Sequence, residues 1–380
     1  MKRTVNYLKG ILKCIFLLLF FTSSAQINNN KVIAVKNTLN FPRNELISIP
    51  YQDFLKLVGR NTKQFRVLSK DSGKQYPYQL ELLGKGEPQN VLILVDIPAK
   101  AEIQLLIETG RPDSIPAKTY ARYVPERMDD FAWENDVVAF RMYGKALEGT
   151  KGDAQGLDIW VKRTNDLIID KWYKSEDYHK DYGEGLDYYA VGQTLGAGDA
   201  APYFDGEVRY PKHYREYEIL DKGPLRTTFR LDFEPWKVGD SDVSVRKTIS
   251  LDAGSQLNQI SLNFDIEGRD ELTIAAGIAR RAGGEVLDKH KEGLFGYWEP
   301  QHKDDGITGV GLVFDKPVDS VKHEESQYLA LFQVKSATPV RYFTGGAWNK
   351  AGRIQSASDW LTYLEQYKAI LENPLEIKIN

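Results

Sequence analysis

Apolar residues along this chain recur in short stretches of five to eight residues, a pattern typical of β-strands. Six such stretches lie between Lys31 and Thr109, and Asn, Pro or Gly residues separate them. Their spacing predicts an N-terminal β-sandwich over residues 26–110. The segment GRPDSIPAK follows without periodicity and carries two prolines, which predicts a linker at residues 111–120.

A longer series of strand-like stretches follows the linker, from DVVAFRMYG to PVRYFTGG. No helix-length pattern separates them, so antiparallel pairing is favoured over βαβ units. Only Ser356–Leu371 has helical spacing, with Ser358 or Asp359 as its N-cap. We therefore predict an all-β fold. The N-terminal sandwich precedes a large two-sheet antiparallel sandwich at residues 121–380, of the super-sandwich or mutarotase-like kind, with one C-terminal helix.

The first 25 residues have the pattern of a secretory signal peptide. Basic residues precede the apolar run Cys14–Phe21, and small residues end at Ala25. The run is too short to cross a bilayer, so we expect export to the periplasm or the medium and no membrane span. Cys14 is the only cysteine, so the mature chain would lack disulfides and thiolate nucleophiles.

Composition indicates which kinds of ligand or binding partner this protein is expected to have. The net charge of −3 becomes more negative once the basic leader is removed, which argues against nucleic acid. An aromatic fraction of 12% is typical of carbohydrate-handling proteins and of aromatic-rich β cores alike. His179, His290 and His302 lack the close spacing of metal motifs, so no cofactor is expected, although a divalent ion held by distant loops stays open.

The segment YHKDYGEGLDYY, Tyr178–Tyr189, combines one imidazole, four phenols and three carboxylates in twelve residues. It lies within a connection of residues 165–215, which is longer than connections in compact β proteins usually are. His179 can change its charge near neutral pH, so this segment is predicted to line a site for acid–base chemistry. The alternative is a structural network that braces the loop.

Three further clusters occur at strand ends, in WENDVVAFRMYG, in KRT and in GIARR. They supply Trp133, Glu134, Asn135, Lys162, Arg163, Arg280 and Arg281. Adjacent residues of a strand face opposite sides, so at most one residue of each basic pair can enter a common site. For Glu134 and Asn135, a turn at the strand entry is the alternative.

The strings LDIWVKRT, DKWY and YHKDYGEGLDYYAVG, with the GAG that follows, resemble a secreted family from polysaccharide-utilisation loci of marine Bacteroidota, long of unknown function. The resemblance extends from about Val35 to the C-terminus. One branch is similar to the oligosaccharide dehydratase of ulvan degradation. This implies a hydro-lyase that removes water across C4 and C5 of a non-reducing-end uronic acid and leaves a 4,5-unsaturated uronate. The implied partner is an acidic oligosaccharide.

The resemblance implies catalytic or substrate-binding roles for the candidate residues. The predicted catalytic residues are His179, Tyr182, Tyr189 and Lys162. The predicted substrate-binding residues are Arg280, Arg163, Glu134, Asn135, Trp133, Trp172, Glu184 and Asp187. Three alternatives stay open: a lyase or C5 epimerase acting on the same proton, a non-catalytic glycan-binding protein, and a glycosidase using a carboxylate pair such as Glu184 and Glu299.

Overall fold

The apolar stretches of the N-terminal region pair into two small antiparallel sheets. The computed structural model describes residues 31–60, 64–175 and 177–379, so the predicted signal peptide lies outside the described residues. The elements of this region are β1 (Val32–Lys36), β2 (Arg43–Pro50), α1 (Tyr51–Val58), β3 (Phe65–Ser69), β4 (Tyr78–Glu81), β5 (Asn90–Ile97) and β6 (Glu102–Thr109). One sheet has the order β2-β5-β4, and in the other β1 pairs with β6 and β6 pairs with β3. Both sheets contribute to one core, which includes Ile33, Val67 and Val91.

The rest of the chain supplies most of the strands. Its first elements are β7 (Thr119–Val124), β8 (Asp130–Asn135), β9 (Val138–Met142), β10 (Leu157–Lys162), α2 (Ile169–Tyr173), β11 (Gly185–Leu186), β12 (Ala197–Phe204), β13 (Glu207–Val208), β14 (Glu216–Lys222), β15 (Arg226–Val238), β16 (Ser241–Asp252) and β17 (Leu257–Ile266). They are followed by β18 (Glu271–Ala279), β19 (Glu285–Lys289), β20 (Leu294–Trp298), β21 (Thr308–Phe314), β22 (Ser320–His323), β23 (Gln327–Lys335), β24 (Val340–Trp348), α3 (Ala357–Glu372) and β25 (Glu376–Ile379).

These strands form a two-layer sandwich. One layer is an eight-stranded sheet with the order β14-β15-β16-β17-β24-β21-β20-β19. The other layer consists of two five-stranded sheets, β11-β10-β9-β8-β7 and β13-β12-β18-β23-β22, which an isolated bridge between Leu157 and Gly196 connects. Side chains of both layers, such as Phe140, Phe229 and Ile274, share one apolar core. The predicted all-β fold class is confirmed.

Helix α3 packs on the outer face of the eight-stranded sheet and begins and ends one residue later than predicted. Its own residues Trp360 and Leu364 are fully buried against the sheet. Its N-cap is Ser356 rather than Ser358 or Asp359. The Ser356 hydroxyl accepts from the Asp359 main-chain N–H, and the Asp359 carboxylate accepts from the Ser356 N–H, which is a capping box.

Several elements were not predicted. Helix α1 begins directly after β2, and α2 and β12 lie inside the predicted connection of residues 165–215. Strand β12 has the sequence AGDAAPYF, whose small residues lack the β-branched pattern that marks strands. The last strand, β25, pairs with β1, so the chain returns to the N-terminal sheet, although residues 121–380 were predicted to lie in the large sandwich.

Gly198 of β12 lies where the two layers of the sandwich are in close contact. Gly198 has φ +104°, and a Cβ there would lie 1.8 Å from the Thr344 hydroxyl oxygen, which itself donates to the Ala197 carbonyl. We predict that Gly198→Ala lowers the free energy of unfolding by about 3 kcal/mol or more, measured by denaturant unfolding.

The control is Gly192→Ala, where φ is +58° and no atom lies within 4 Å of the added Cβ. It should lower the free energy of unfolding by only about 1–2 kcal/mol. Equal losses in the two variants would contradict the packing argument.

Candidate functional site

The predicted segment Tyr178–Tyr189 borders two separate groups of charged residues. Successive side chains after β11 contact different groups. Asp187 contacts Arg141, whereas Tyr188 contacts His302. We call the first group, Asp130, Arg141, Asp158 and Asp187, the acid cluster. The second group lines a cavity, the Glu299 pocket.

The Glu299 pocket has a volume of about 330 Å³, which suits a small ligand such as one sugar unit. Its lining consists of Tyr188, Tyr189, Ala190, Arg281, Glu299, Pro300, Gln301 and His302. Glu299 and His302 follow β20, which belongs to the eight-stranded layer, and Arg281 follows β18 of the opposite layer. The pocket therefore lies where the two layers of the sandwich meet at one edge.

Glu299 is a buried carboxyl group with too few partners. It is 5% exposed, its Oε1 lies 3.5 Å from Arg281 Nε, and that oxygen has no hydrogen-bond partner among the described residues. Burial raises the pKa of Glu299 to about 7, against the opposing effect of Arg281. Both protonation states are therefore populated near neutral pH, as a general acid or base requires.

Arg281 supplies the positive charge of this pocket. Its guanidinium donates to the Ala190 carbonyl and lies 5.3 Å from the centre of the Tyr189 ring. When Glu299 is protonated, this cation lacks an ionised partner in the pocket lining and can receive an anionic group. Only one arginine of the pair enters the site, because Arg280 donates instead to the Glu324 carbonyl.

His302 is held in one orientation. Its Nδ1 lies 3.0 Å from Asp305 Oδ2, and its ring stacks on Tyr188 with centroids 5.2 Å apart. A carboxylate beside Nδ1 favours the proton on that nitrogen, which leaves Nε2 as the basic atom. The Tyr188 hydroxyl is 2.6 Å from the Thr308 hydroxyl, and burial raises the pKa of the phenol above its usual range.

Tyr189 is the one predicted catalytic residue that lines this pocket. Its hydroxyl donates to the Gly196 carbonyl at 3.0 Å, and burial raises the pKa of the phenol well above its ordinary value. Its ring therefore packs against the Arg281 guanidinium, while its hydroxyl stays protonated and hydrogen-bonded to Gly196.

The acid cluster places three carboxylates around one guanidinium. Arg141 Nη2 lies 2.6 Å from Asp158 and 3.2 Å from Asp187, and Nη1 lies 3.6 Å from Asp130. Burial raises the pKa of Asp130 to about 7 and that of Asp187 well above its ordinary value. His179 Nδ1 donates to the Asp187 main-chain oxygen at 2.8 Å, so His179 lies beside this cluster, and neither His179 nor Asp187 lines the Glu299 pocket.

Glu134 and Lys162 form an ion pair that is buried from solvent on all sides. Their side chains are 0% exposed and 2.8 Å apart, and Lys162 also donates to the carbonyls of Asn135 and Asp166. Glu134 accepts from two main-chain N–H groups at the start of α2. Burial raises the pKa of Glu134 and lowers that of Lys162, and each partner opposes the other's shift. In place of the predicted catalytic and binding roles, the pair fixes α2 to β8 and β10.

Three more predicted binding residues are buried as well. Trp133 is in the core and its indole N–H donates to Asn258. Asn135 closes a turn with four hydrogen bonds to main-chain groups. Trp172 stacks on Trp160 with ring centroids 5.9 Å apart. The burial of Trp133 and Trp172 leaves no ring face for a sugar. All three residues therefore stabilise the fold in this structure.

The remaining predicted residues lie on the surface, outside the pocket lining. Tyr182 is 69% exposed. Glu184 pairs with Lys171, and that hydrogen bond lowers the pKa of Glu184. Arg163 is ion-paired with Asp181.

The sequence predictions include Glu299 only in the glycosidase alternative and His302 only among the histidines considered as metal ligands. Their signal is the same as that used for Arg281, namely charged or titratable residues directly after an apolar strand, here LFGYW. Within the described ranges, no group of three or more His, Cys, Asp or Glu side chains is arranged to hold a metal ion. No helix in the described part of the chain is long and apolar enough to cross a membrane.

Comparison with known proteins places the chain in a family. The family model for a domain of unknown function, DUF4861, matches residues 35–377. This chain belongs to the DUF4861 family. Uncharacterized protein P7 of Formosa agariphila is 28% identical over 387 residues, which cover 95% of this chain and 96% of P7.

Solved structures share the fold of this DUF4861 protein at low identity. A protein of glycosyl hydrolase family 38 from Enterococcus faecalis matches with a TM-score of 0.51 and 8% identity, over 92% of this chain and 47% of that one. An α-mannosidase from the same organism matches with a TM-score of 0.48 and 7% identity, over 92% and 46%. The chain thus spans about half the length of these two proteins, and the first likeness concerns the fold alone.

The raised pKa of Glu299 makes a prediction for stability. The folded protein holds this proton more tightly than the unfolded chain, so the contribution of Glu299 to stability is present below pH 4.5 and is lost as the pH rises through about 7. Glu299→Gln should therefore raise the free energy of unfolding by about 1–3 kcal/mol at pH 8 and change it little at pH 4.

Denaturant unfolding at both pH values measures this effect. The control Glu207→Gln removes an exposed carboxylate and should shift stability little at either pH. A Glu299→Gln effect of the same size at both pH values would contradict the raised pKa.

Proposed function

We propose that this protein is a carbohydrate-active hydro-lyase that removes water across C4 and C5 of a terminal uronic acid on an oligosaccharide. The observation that carries the proposal is the Glu299 pocket, where a buried carboxyl with a pKa of about 7 faces Arg281 and the imidazole of His302 lies on the same lining. These are the three kinds of group that such an elimination requires.

The charge of the pocket favours an anionic substrate. Arg281 can bind the uronate carboxylate through two N–H donors once Glu299 is protonated. The bound carboxylate would add a second negative charge near Glu299 and raise its pKa further, which keeps Glu299 in the acid form. Binding of the uronate therefore favours protonation of Glu299, and protonation of Glu299 favours binding of the uronate.

The proposed reaction uses His302 as the base and Glu299 as the acid. Nε2 of His302 takes the C5 proton, and the C5–H electron pair forms the C4=C5 double bond as the C4–O bond breaks. Glu299 gives its proton to the leaving hydroxyl, which departs as water. Each proton transfer contributes about 10²–10⁴ in rate. Arg281 stabilises the charge that spreads onto the uronate carboxylate, worth about 10²–10³. Asp305 stabilises the imidazolium, and exchange with solvent then returns His302 and Glu299 to their starting states.

The pocket favours elimination over glycoside hydrolysis. Glycosidases use two carboxyl groups on opposite sides of the scissile bond, and Glu299 is the only carboxylate among the residues that line the pocket. A lyase acting on the same proton would use the same three residues and lose a sugar from O4 instead of water. Product mass separates the two reactions.

The test is ultraviolet absorbance of the conjugated enoate, with mass spectrometry, after mixing the protein with uronate-terminated oligosaccharides. We predict products lighter by one water and no shorter. Glu299→Gln and His302→Ala should each lower kcat by about 10²–10⁴, whereas the exposed His323→Ala control should keep the wild-type rate.

Shorter products would make the protein a lyase. Full turnover by both pocket variants would overturn the assignment. Loss of turnover in His179→Ala with His302→Ala unaffected would move the chemistry to the acid cluster.

The pH dependence of turnover gives an independent check. The general acid must be protonated, and the pKa of Glu299 is about 7 in the free protein. We therefore predict that kcat/KM falls as the pH rises above about 7. A rate that stays constant from pH 6 to 9 would contradict Glu299 as the acid.

A further inference from the structure

A second cavity shares no lining residue with the Glu299 pocket. It has a volume of about 470 Å³. Its walls are the beginning of β2, the strands β15, β16, β17 and β24 of the large sheet, and helix α3. We call it the α3 cavity.

One wall of the α3 cavity is aromatic. Tyr363 and Tyr367 are one turn apart on α3, with ring centroids 6.2 Å apart, and Phe343 packs edge-on against Tyr367 at 5.3 Å. The Tyr363 hydroxyl accepts from the Gln256 main-chain N–H, which fixes the ring. Fixed aromatic rings of this kind suit the C–H face of a sugar.

The three arginines of the cavity lining are already ion-paired, including Arg341, which binds Asp315 through two nitrogens at 3.1 and 2.9 Å. Arg43 binds Glu45 through two nitrogens at 3.0 and 2.8 Å, and Arg226 binds Asp252 in the same way at 2.5 and 2.7 Å. Each cation thus has a carboxylate partner, and Arg226 has Glu81 as a second one at 3.2 Å, unlike Arg281 beside a protonated Glu299. A neutral ligand is favoured, because no cation in these pairs is left over for an anion.

Two amides supply free hydrogen-bonding groups. Gln259 and Gln366 line the cavity and are half-buried, and their side chains make no hydrogen bond with another described residue. An amide offers donors and acceptors together, as a sugar hydroxyl does. Aromatic rings, neutral ion pairs and free amides together match a neutral sugar.

We propose that the α3 cavity is a non-catalytic binding site for a neutral sugar unit, separate from the Glu299 pocket. The choice of sugar as the ligand class rests in part on the proposed function, whereas neutrality rests on the paired charges alone. No histidine lines the α3 cavity, and its carboxylates are held by arginines, so it binds a sugar without converting it.

Saturation-transfer NMR and calorimetry test this site with neutral probes, the methyl glycosides of glucose, galactose, xylose and rhamnose, and with glucuronate as the anionic probe. We expect at least one neutral glycoside to bind. Gln366→Ala and Tyr367→Ala should weaken that binding about three- to tenfold and leave glucuronate binding unchanged. Arg281→Ala should do the reverse.

Gln366→Ala removes a half-buried side chain without hydrogen-bond partners, so it tests the site even if Tyr367→Ala fails to fold. Absence of binding by all four neutral glycosides, or unchanged affinity in Gln366→Ala, would overturn the α3 site. Absence of glucuronate binding alone would count against the proposed function and leave the α3 site standing.

Discussion

Burying a carboxyl group is unfavourable unless cations and hydrogen-bond donors compensate, and in this protein the penalty falls on Glu299. One guanidinium lies near it, at 3.5 Å, and one of its oxygens has no hydrogen-bond partner among the described residues. The sandwich core holds this arrangement in place, because Arg281 and Glu299 follow strands of opposite layers. Stability from the core thus maintains a carboxyl group whose pKa is displaced into the range useful for proton transfer.

The other buried charges of the molecule are arranged differently. Lys162 has three acceptors and Glu134 has three donors, so that pair is fully satisfied and braces a helix. In the acid cluster, one arginine compensates three carboxylates, and burial displaces their pKa values as well. The Glu299 pocket combines open volume beside the displaced group with a cation and an oriented imidazole on the same lining. Displaced pKa values alone therefore do not identify a site.

The sequence predicted the fold class because apolar alternation is local and strands such as β16 alternate along their whole length. Strand β12 escaped prediction because its small residues lack the β-branched pattern of strands, and the close contact of Gly198 with Thr344 of the opposite layer is not visible in the local sequence. The predicted residues include Tyr189 and the arginine pair after β18, and of these Tyr189 and Arg281 line the Glu299 pocket. The burial of Glu134 and Lys162 was not predicted, because only the pairing of β8, β9 and β10 shows that the two side chains meet inside the protein.

Direct titration of Glu299 tests the central claim most closely. Difference infrared spectroscopy of the wild type against Glu299→Gln isolates this carboxyl from Asp130, which titrates in the same range. The account predicts a carboxyl that loses its proton with a pKa of about 7. A pKa near the ordinary value of 4.5 would mean that Glu299 is an ionised partner of Arg281, and would remove the acid from the proposed reaction.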